Sequence, residues 1–540
     1  MNNSVQEIGV LIVGAGFSGL AAGTRLRKAG IEDFRIIDRG HDVGGTWRDN
    51  TYPGAACDVP SHLYSLSFAQ EFDWSRSFGT QPEIAEYQRS VAVEQGLYPH
   101  LLFRTEMIDA RWDEAAGRWL VKTREVPQHD DDRRTVVATS GEMADKVFGG
   151  GSAQESGEEA AAAAEPEITT WSARDLILGV GALCEPRLPD IEGIEEFEGT
   201  IFHSARWDHD VDLRGKRVAV IGTGASAIQI VPQIAPIAGH LDVYQRTAPY
   251  VIPRLDRAYM GWERAALRNV PGLRRVVRAQ DYFFRELQVP GLTKNEKLMA
   301  PIKFVALQQL RRQVRDRELR EKLTPNFTIG CKRMLISNNY YPAIASDNVD
   351  LVTDPIQRVN AHSITTADGT ERPIDVLIVC TGFHVTDSPT FALVHGRSGE
   401  SLAEMWGRNG MAAHKGTTIH GFPNLSVLMG PATGLGHTSM IYMIESQMNY
   451  VMEMLKTKRR HGADVAEVSE RAQEEWNDWV RERLPGTVWV SGCGSWYLDE
   501  HGNAPAVWPS WTWKFRAKTK KFDASSYDLR VAKPVAAVSG

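Results

Sequence analysis

Cysteine is scarce and scattered. Five cysteines occur in 540 residues, at positions 57, 184, 331, 380 and 493, and no Cys-x-x-Cys is present. That spacing excludes a dithiol redox centre and a zinc ribbon, and it argues against a disulfide framework. Long apolar runs are also missing. No stretch of eighteen apolar residues exists, so no transmembrane helix is expected. The opening "MNNSVQEIGVLIVGAGFSGLAAG" lacks the basic start of a signal peptide, and a reducing cytoplasm is the expected location. Nor is there an excess of positive charge. Sixty-one basic residues face 68 acidic ones, for a net charge of −7, which argues against general nucleic-acid affinity. What remains is the composition of a globular protein, 42% hydrophobic and 24% charged, long enough for several units and a sizeable core. A monomer or weak homo-oligomer is expected.

Two stretches share one plan. "GVLIVGAGFSGLAAGTRLRKAG" (9–30) reads as an apolar strand, a glycine turn and an amphipathic helix, with "FRIID" (34–38) as the next strand. "KRVAVIG", a turn, "ASAIQIVPQIA" and "HLDVYQ" repeat it over 215–245. The pattern predicts an α/β protein with two Rossmann-like dinucleotide-binding folds. Between 125 and 168 the composition turns small, acidic and polar, which predicts an exposed excursion between two strands. Residues 254–325 read as helical and rich in arginine. Acids alternate with the bases in "RRQVRDRELREKL", so a solvated helix face is expected there rather than a nucleic-acid helix.

Gly14, Gly16 and Gly19 form G-x-G-x-x-G. The first permits the tight turn, the second lets backbone approach a pyrophosphate, and the third lets helix meet strand. The helix N-terminus then offers free N–H groups to phosphate. Gly222, Gly224 and Ala227 form the G-x-G-x-x-A variant. Twenty-four residues after Gly14 stands Asp38, and twenty-four after Gly222 stands Arg246. An acid suits a free ribose 2′-hydroxyl and an arginine suits a 2′-phosphate. The first fold is therefore expected to bind FAD or NAD, and the second NADPH. "GGTWRDNTYPGAACDVPSHLY" (44–64) favours a flavin in the first, because its glycines permit close approach and Trp47, Tyr52 and Tyr64 could wall a flat ring.

The stretch "FEGTIFHSARWD" lies just upstream of the second fold. Phe197, Gly199, His203, Trp207 and Asp208 fill every fixed position of F-x-G-x-x-x-H-x-x-x-W-[PD]. In this and in "GTGASAIQ", "YQRT", "CKR", "CTGF", "GFPNL" and "SWY", the chain resembles the flavoprotein monooxygenases of the Baeyer–Villiger type, over nearly its whole length outside the excursion. The resemblance implies FAD, NADPH and O2. It implies a ketone as substrate and an ester or lactone as product, by way of an anionic peroxyflavin, with sulfoxidation as a side activity. It implies no metal, no nucleic acid and no membrane span. It sets the first part of the FAD-binding domain at 1–170, a linker carrying the fingerprint at 171–212, and the NADP-binding domain at 213–380. The rest of the FAD-binding domain and a loop-rich C-terminal segment then fill 381–540. The second fold is thus inserted in the first.

The same resemblance distributes roles. Arg333 of "CKR" is the matching position for a permanent cation beside the reacting oxygen, and Asp58 for the carboxylate that holds it. Two unit charges at ~4 Å attract by about 4 kcal/mol at an effective dielectric of ~20. Gly45, Thr46, Trp47 and Tyr64 fall to the flavin. Thr223, Ala225, Ser226 and Gln229 of the second turn, with Arg246, Thr247 and Lys332, fall to NADPH. Trp496 of "SWY" matches a contact to the nicotinamide-side ribose. His203 reads as a structural residue in a hinge or brace, since nothing nearby completes a triad or a metal site. The C-terminal aromatics Trp489, Tyr497, Trp508, Trp511, Trp513 and Phe515 could line a roomy pocket or form a core. An enzyme that oxygenates nitrogen or sulfur, and a non-catalytic NADPH sensor, are the alternative readings.

Overall fold

The computed structural model describes residues 5–127, 167–495, 497–499 and 502–532. Most of the expected excursion, from 128 to 166, lies outside the described residues, as does Trp496. The strands that flank it, Arg118–Glu125 and Ile168–Leu178, pair antiparallel.

Two sheets organise the chain. The first has eight strands. Gln6–Val13 lies between Phe34–Ile37 and Ile168–Leu178, parallel to both. Its register sets Val13 against Ile37 on one side and Leu178 on the other. Six of the eight residues of Gln6–Val13 are buried, the continuous apolar run that a parallel strand covered on both faces requires. Leu425–Val427 joins the same sheet beside the end of Ile168–Leu178.

The second sheet has five strands, in the order Val349–Val352, His240–Tyr244, Arg217–Ile221, Val376–Val379, Thr200–His203, all parallel. Its strands fall in sequence between Ile168–Leu178 and Leu425–Val427 of the first sheet. The second fold is therefore inserted in the first.

The segment 171–212 is not a free connection. It carries most of Ile168–Leu178 and all of the edge strand Thr200–His203. The fingerprint positions are packing positions. Phe197 is fully buried, and a Cβ at Gly199 would lie 2.5 Å from the Asp375 carbonyl oxygen. Trp207 meets Phe202 edge-on at 5.0 Å. His203 Nδ1 accepts from the Ala205 N–H at 3.1 Å and caps the short turn Ser204–Arg206. Burial, then the Arg206 charge, push His203 down to about 3. So weak a base does not take up a proton near neutrality, which argues against a general-base role.

Helices from Gly261–Asn269 to Arg317–Lys322 form the insertion, whose later part joins the core of the second sheet through Leu310 and Val314. Its arginines divide into two sets. Arg311, Arg312, Arg315 and Arg317 are exposed, as alternating charge predicts. Arg274, Arg278 and Arg285 are not, and this corrects the expectation of one solvated face. Arg278 Nη1 donates to the carbonyls of His62 (2.8 Å), Leu63 (3.2 Å) and Ser65 (2.6 Å). Arg285 Nη2 donates to the Asp58 carbonyl at 3.2 Å. Guanidinium forks can satisfy several backbone oxygens of an irregular loop at once, which an apolar helix face would leave bare.

The C-terminal aromatics form a core. Trp489, Tyr497, Trp508 and Phe515 are at most 1% exposed and cluster with Tyr250, Met443 and Trp476. Trp513 is exposed. The cysteines bring one departure from expectation: Cys331 and Cys493 form a disulfide, with Cα atoms 6.3 Å apart. It is a single long-range tie between segments 162 residues apart, a pairing that sequence spacing does not reveal.

Candidate active site

Each glycine turn closes on the end of a neighbouring strand. Gly14 has φ +102°, and its N–H donates to the Ile37 carbonyl at 2.8 Å. A Cβ there would lie 2.5 Å from the Gly179 carbonyl oxygen. Gly222 has φ +110°, donates to the Tyr244 carbonyl at 3.0 Å, and would set a Cβ 2.5 Å from the Cys380 carbonyl oxygen. Only glycine meets both demands, of left-handed backbone and of close approach. Gly16 ends its turn at the start of the helix Phe17–Lys28, facing Gly45. Gly19 sits off the cavity, where a Cβ would overlap the Gly14 carbonyl oxygen.

The turns open into one cavity of about 1650 Å³. Gly14, Gly16, Asp38, Gly45, Thr46 and Trp47 line its first end, with Tyr64 beside them. Gly222, Thr223, Gly224, Ala225, Ser226 and Gln229 line the other. Arg246, Thr247 and Lys332 complete that end, and Asp58 and Arg333 also line the cavity. Tyr64 accepts from Trp47 Nε1 at 3.0 Å and packs edge-on to Phe17 at 5.2 Å, so the aromatic wall is locked before any ligand arrives. Gln229 joins the two folds: its Oε1 accepts from the Tyr52 hydroxyl at 3.0 Å and its Nε2 donates to the Ala56 carbonyl at 2.9 Å.

The two ends differ in charge. The Asp38 carboxylate accepts from the Ala15 N–H at 2.7 Å, the Gly40 N–H at 2.8 Å and Arg48 Nη1 at 2.6 Å. Much of its capacity thus shapes its own loop. The partner Arg48 was not anticipated, although an arginine directly after "GGTW" was the available signal. At the other end Arg246 is exposed and makes no ion pair among the described residues. Lys332 lies near enough that burial and then the Arg246 charge both lower its pKa. Two cations face each other there with no ion-pairing carboxylate, an arrangement that a dianionic phosphate relieves.

Arg333 and Asp58 form a forked pair. Arg333 Nε donates to Asp58 Oδ2 at 2.7 Å and Nη2 to Oδ1 at 2.8 Å. Nη1 donates to the Leu435 carbonyl at 3.2 Å, and the guanidinium also faces the buried Tyr497 hydroxyl. Asp58 raises the Arg333 pKa further, against a smaller opposing effect of burial. Burial pushes that of Asp58 up, but Arg333 first and then Arg285 hold it below the ordinary carboxylate value. Both stay charged. Their side chains keep about a quarter of their surface open, 26% and 27%.

His240, Asp242 and Asp350 come within metal-ligand reach of one another. Arg372 Nη1 already donates to both carboxylates at 3.0 Å, so the charge of that group is met without an ion.

A chain with two such turns opening into one cavity, and an aromatic wall at the first, is a two-dinucleotide flavoprotein. Comparisons with known proteins agree. Residues 12–78 match the NAD(P)-binding Rossmann-like domain model and residues 172–279 the flavin-binding monooxygenase-like model. A Baeyer–Villiger monooxygenase of Streptomyces coelicolor is 43% identical over 526 residues, covering 97% of this chain and 93% of that protein. One from Pseudomonas aeruginosa is 42% identical over 532 residues, covering 98% and 93%. The chain belongs to the Baeyer–Villiger monooxygenases. Among solved structures, OTEMO in complex with FAD and NADP has 26% identity and a TM-score of 0.81, over 97% of this chain and all of that one.

Proposed function

We propose that this chain uses FAD, NADPH and O2 to insert one oxygen atom beside a ketone carbonyl, giving an ester or lactone. The observation that carries this reading is the Arg333–Asp58 pair, set in the cavity that both glycine turns share. The residues fit both cofactors. The Gly14 turn is a cradle that a Cβ would fill, and Arg246 and Lys332 bring two like charges together where an anion would bind. Gly14, Gly16, Asp38, Gly45, Thr46, Trp47 and Tyr64 would hold FAD, with Gly19 closing the helix onto the turn. Gly222, Thr223, Gly224, Ala225, Ser226 and Gln229 would hold the NADPH pyrophosphate half. Arg246, Thr247 and Lys332 would take the 2′-phosphate. Bound there, FAD would take two electrons from NADPH and pass them to O2, one atom of which enters the product while the other leaves as water.

The chain's own contribution is positioning and charge. Asp58 fixes the plane of the Arg333 guanidinium, and the Leu435 carbonyl fixes its far nitrogen. Remaining N–H groups face the cavity as a permanent cation. When a nucleophile adds to a ketone, negative charge grows on the carbonyl oxygen. A fixed donor aimed at that oxygen lowers the barrier without reorganising. Neutral His203 takes no proton in this scheme.

Product analysis under isotope-labelled oxygen tests the reading. Purified holoenzyme with NADPH and a panel of cyclic, aryl and linear ketones should give esters or lactones carrying one labelled atom. Arg333→Ala should keep its flavin and lose about 3 kcal/mol of barrier lowering, roughly a hundredfold in product formation. Sulfoxide from a sulfide in the panel, with no ester from any ketone, overturns the ketone assignment.

A further inference from the structure

Cys331 stands two residues before Arg333 and one before Lys332. It is fully buried. Its partner Cys493 is half-buried in a loop between exposed Gly492 (φ +89°) and Gly494 (φ +55°). That loop leads into the cavity wall: Gly494, Ser495 and Leu498 line it, and the Tyr497 hydroxyl faces Arg333. The C-terminal segment is therefore tied to the Arg333 loop at two points, one covalent and one polar. Cleaving the covalent tie leaves Cys331 anchored in the core, while Cys493 sits in a turn whose glycines allow many conformations.

We propose that Cys331–Cys493 is a reversible thiol–disulfide site that sets how tightly the C-terminal segment closes over the NADPH end of the cavity. Resting on the function proposed above, it makes the coupling of NADPH oxidation to product depend on the redox state of this bond.

The other three cysteines are poor competitors for exchange. Burial pushes the thiols of Cys57 and Cys380 up to about 12 and that of Cys184 up to about 11, so none offers the thiolate that attacks a disulfide. Reduction needs a two-electron dithiol. One of its thiolates attacks Cys493 Sγ, the more open sulfur, and Cys331 leaves as thiolate and takes a proton. The second thiol of the reductant then displaces Cys493, leaving two protein thiols and one oxidised dithiol. In the reverse direction a peroxide accepts the two electrons and becomes water as the bond reforms.

Thiol titration of the holoenzyme, purified without reductant and then denatured, should find three free thiols, rising to five after treatment with dithiothreitol. Reduction of the folded holoenzyme should raise KM for NADPH and the ratio of hydrogen peroxide to product by roughly threefold or more, with flavin content unchanged. It should also speed proteolytic nicking between 491 and 499. Cys493→Ser should show the reduced behaviour from the start and not respond to dithiothreitol. Five thiols before reduction overturn the proposal. So do three thiols with KM, peroxide ratio and nicking all unmoved by reduction, which would make the bond a static staple. If no ketone yields product, the functional reading fails by itself, while the thiol count, KM for NADPH and nicking still decide the redox site.

Discussion

The two glycine turns have the same backbone and opposite surroundings. In both, a glycine with φ near +100° donates to the next strand and lies against a carbonyl at the end of a third. Beyond that they diverge. The helix after Gly14 begins at Phe17 and runs for 12 residues, and no residue of the turn is exposed: Ala15 is buried, Gly14 and Gly16 partly so. The helix after Gly222 begins only at Ala227 and runs for 8, and Gly224 and Ala225 are exposed to the cavity. The acid at the first turn is tied to its own loop, while the bases at the second make no ion pair among the described residues. A closed turn with its charges satisfied suits a resident group. An open turn with charges unsatisfied suits a co-substrate that must enter and leave in each cycle.

The hardest test of this contrast is to spoil both turns in the same way. Alanine at position 14 or 222 adds a Cβ 2.5 Å from a carbonyl oxygen at a φ that costs ~1–3 kcal/mol by itself. Gly14→Ala should purify without flavin. Gly222→Ala should keep its flavin, with NADPH-driven flavin reduction down by roughly a hundredfold, about 2.7 kcal/mol. Flavin loss in Gly222→Ala would show that the two sites are not separable.

A smaller effect should follow from removing the unpaired cations. A hydrogen bond to a charged group contributes about 1.5–3 kcal/mol, so Arg246→Ala should raise KM for NADPH by roughly 10–100-fold. KM for NADH should stay as it was, because the lost partner is the 2′-phosphate. Equal losses with both nucleotides would place Arg246 elsewhere.

A pH series sharpens the same point. Burial first, and then Arg246, hold the Lys332 pKa below the ordinary lysine value. The charged form binds phosphate, so KM for NADPH should rise as pH climbs into the alkaline range. In Lys332→Arg that rise should flatten, because arginine keeps its charge. A rise of the same size in the variant would assign the titration to another group.

The smallest effect compares the third positions. Ala227→Gly should cost about 1 kcal/mol of helix stability and leave KM for NADPH unchanged. Gly19→Ala should be far worse, because its Cβ overlaps the Gly14 carbonyl oxygen while the Ala227 methyl already has room. Similar melting temperatures for the two variants would mean that the turns tolerate side chains equally.

Much of the molecule was legible in the chain. A glycine turn is a local device: strand, turn and helix follow one another within about twenty residues, so Gly14, Gly222, Asp38 and Arg246 could be placed by counting. The 2′-phosphate reading needed only the acid-for-base exchange at a fixed offset. The fingerprint from Phe197 to Asp208 was recognisable as a pattern, yet its physical content, an edge strand locked by close packing, was not. Arg333 and Asp58 came from family resemblance, because 275 residues separate them and no local rule pairs residues so far apart.

Sequence by itself determined the two glycine turns and the sign of charge at each, since these rest on short-range spacing and hydrophobic period, while the insertion of one fold in the other came from the family resemblance. Tertiary structure alone decided which of the many arginines in 254–325 face inward to hold the 57–65 loop, and that Cys331 finds Cys493. It also decided that Trp489, Tyr497, Trp508 and Phe515 are core while Trp513 is exposed. Each of those outcomes depends on which distant surfaces meet, and a chain's composition carries no distance information until its strands and helices have packed.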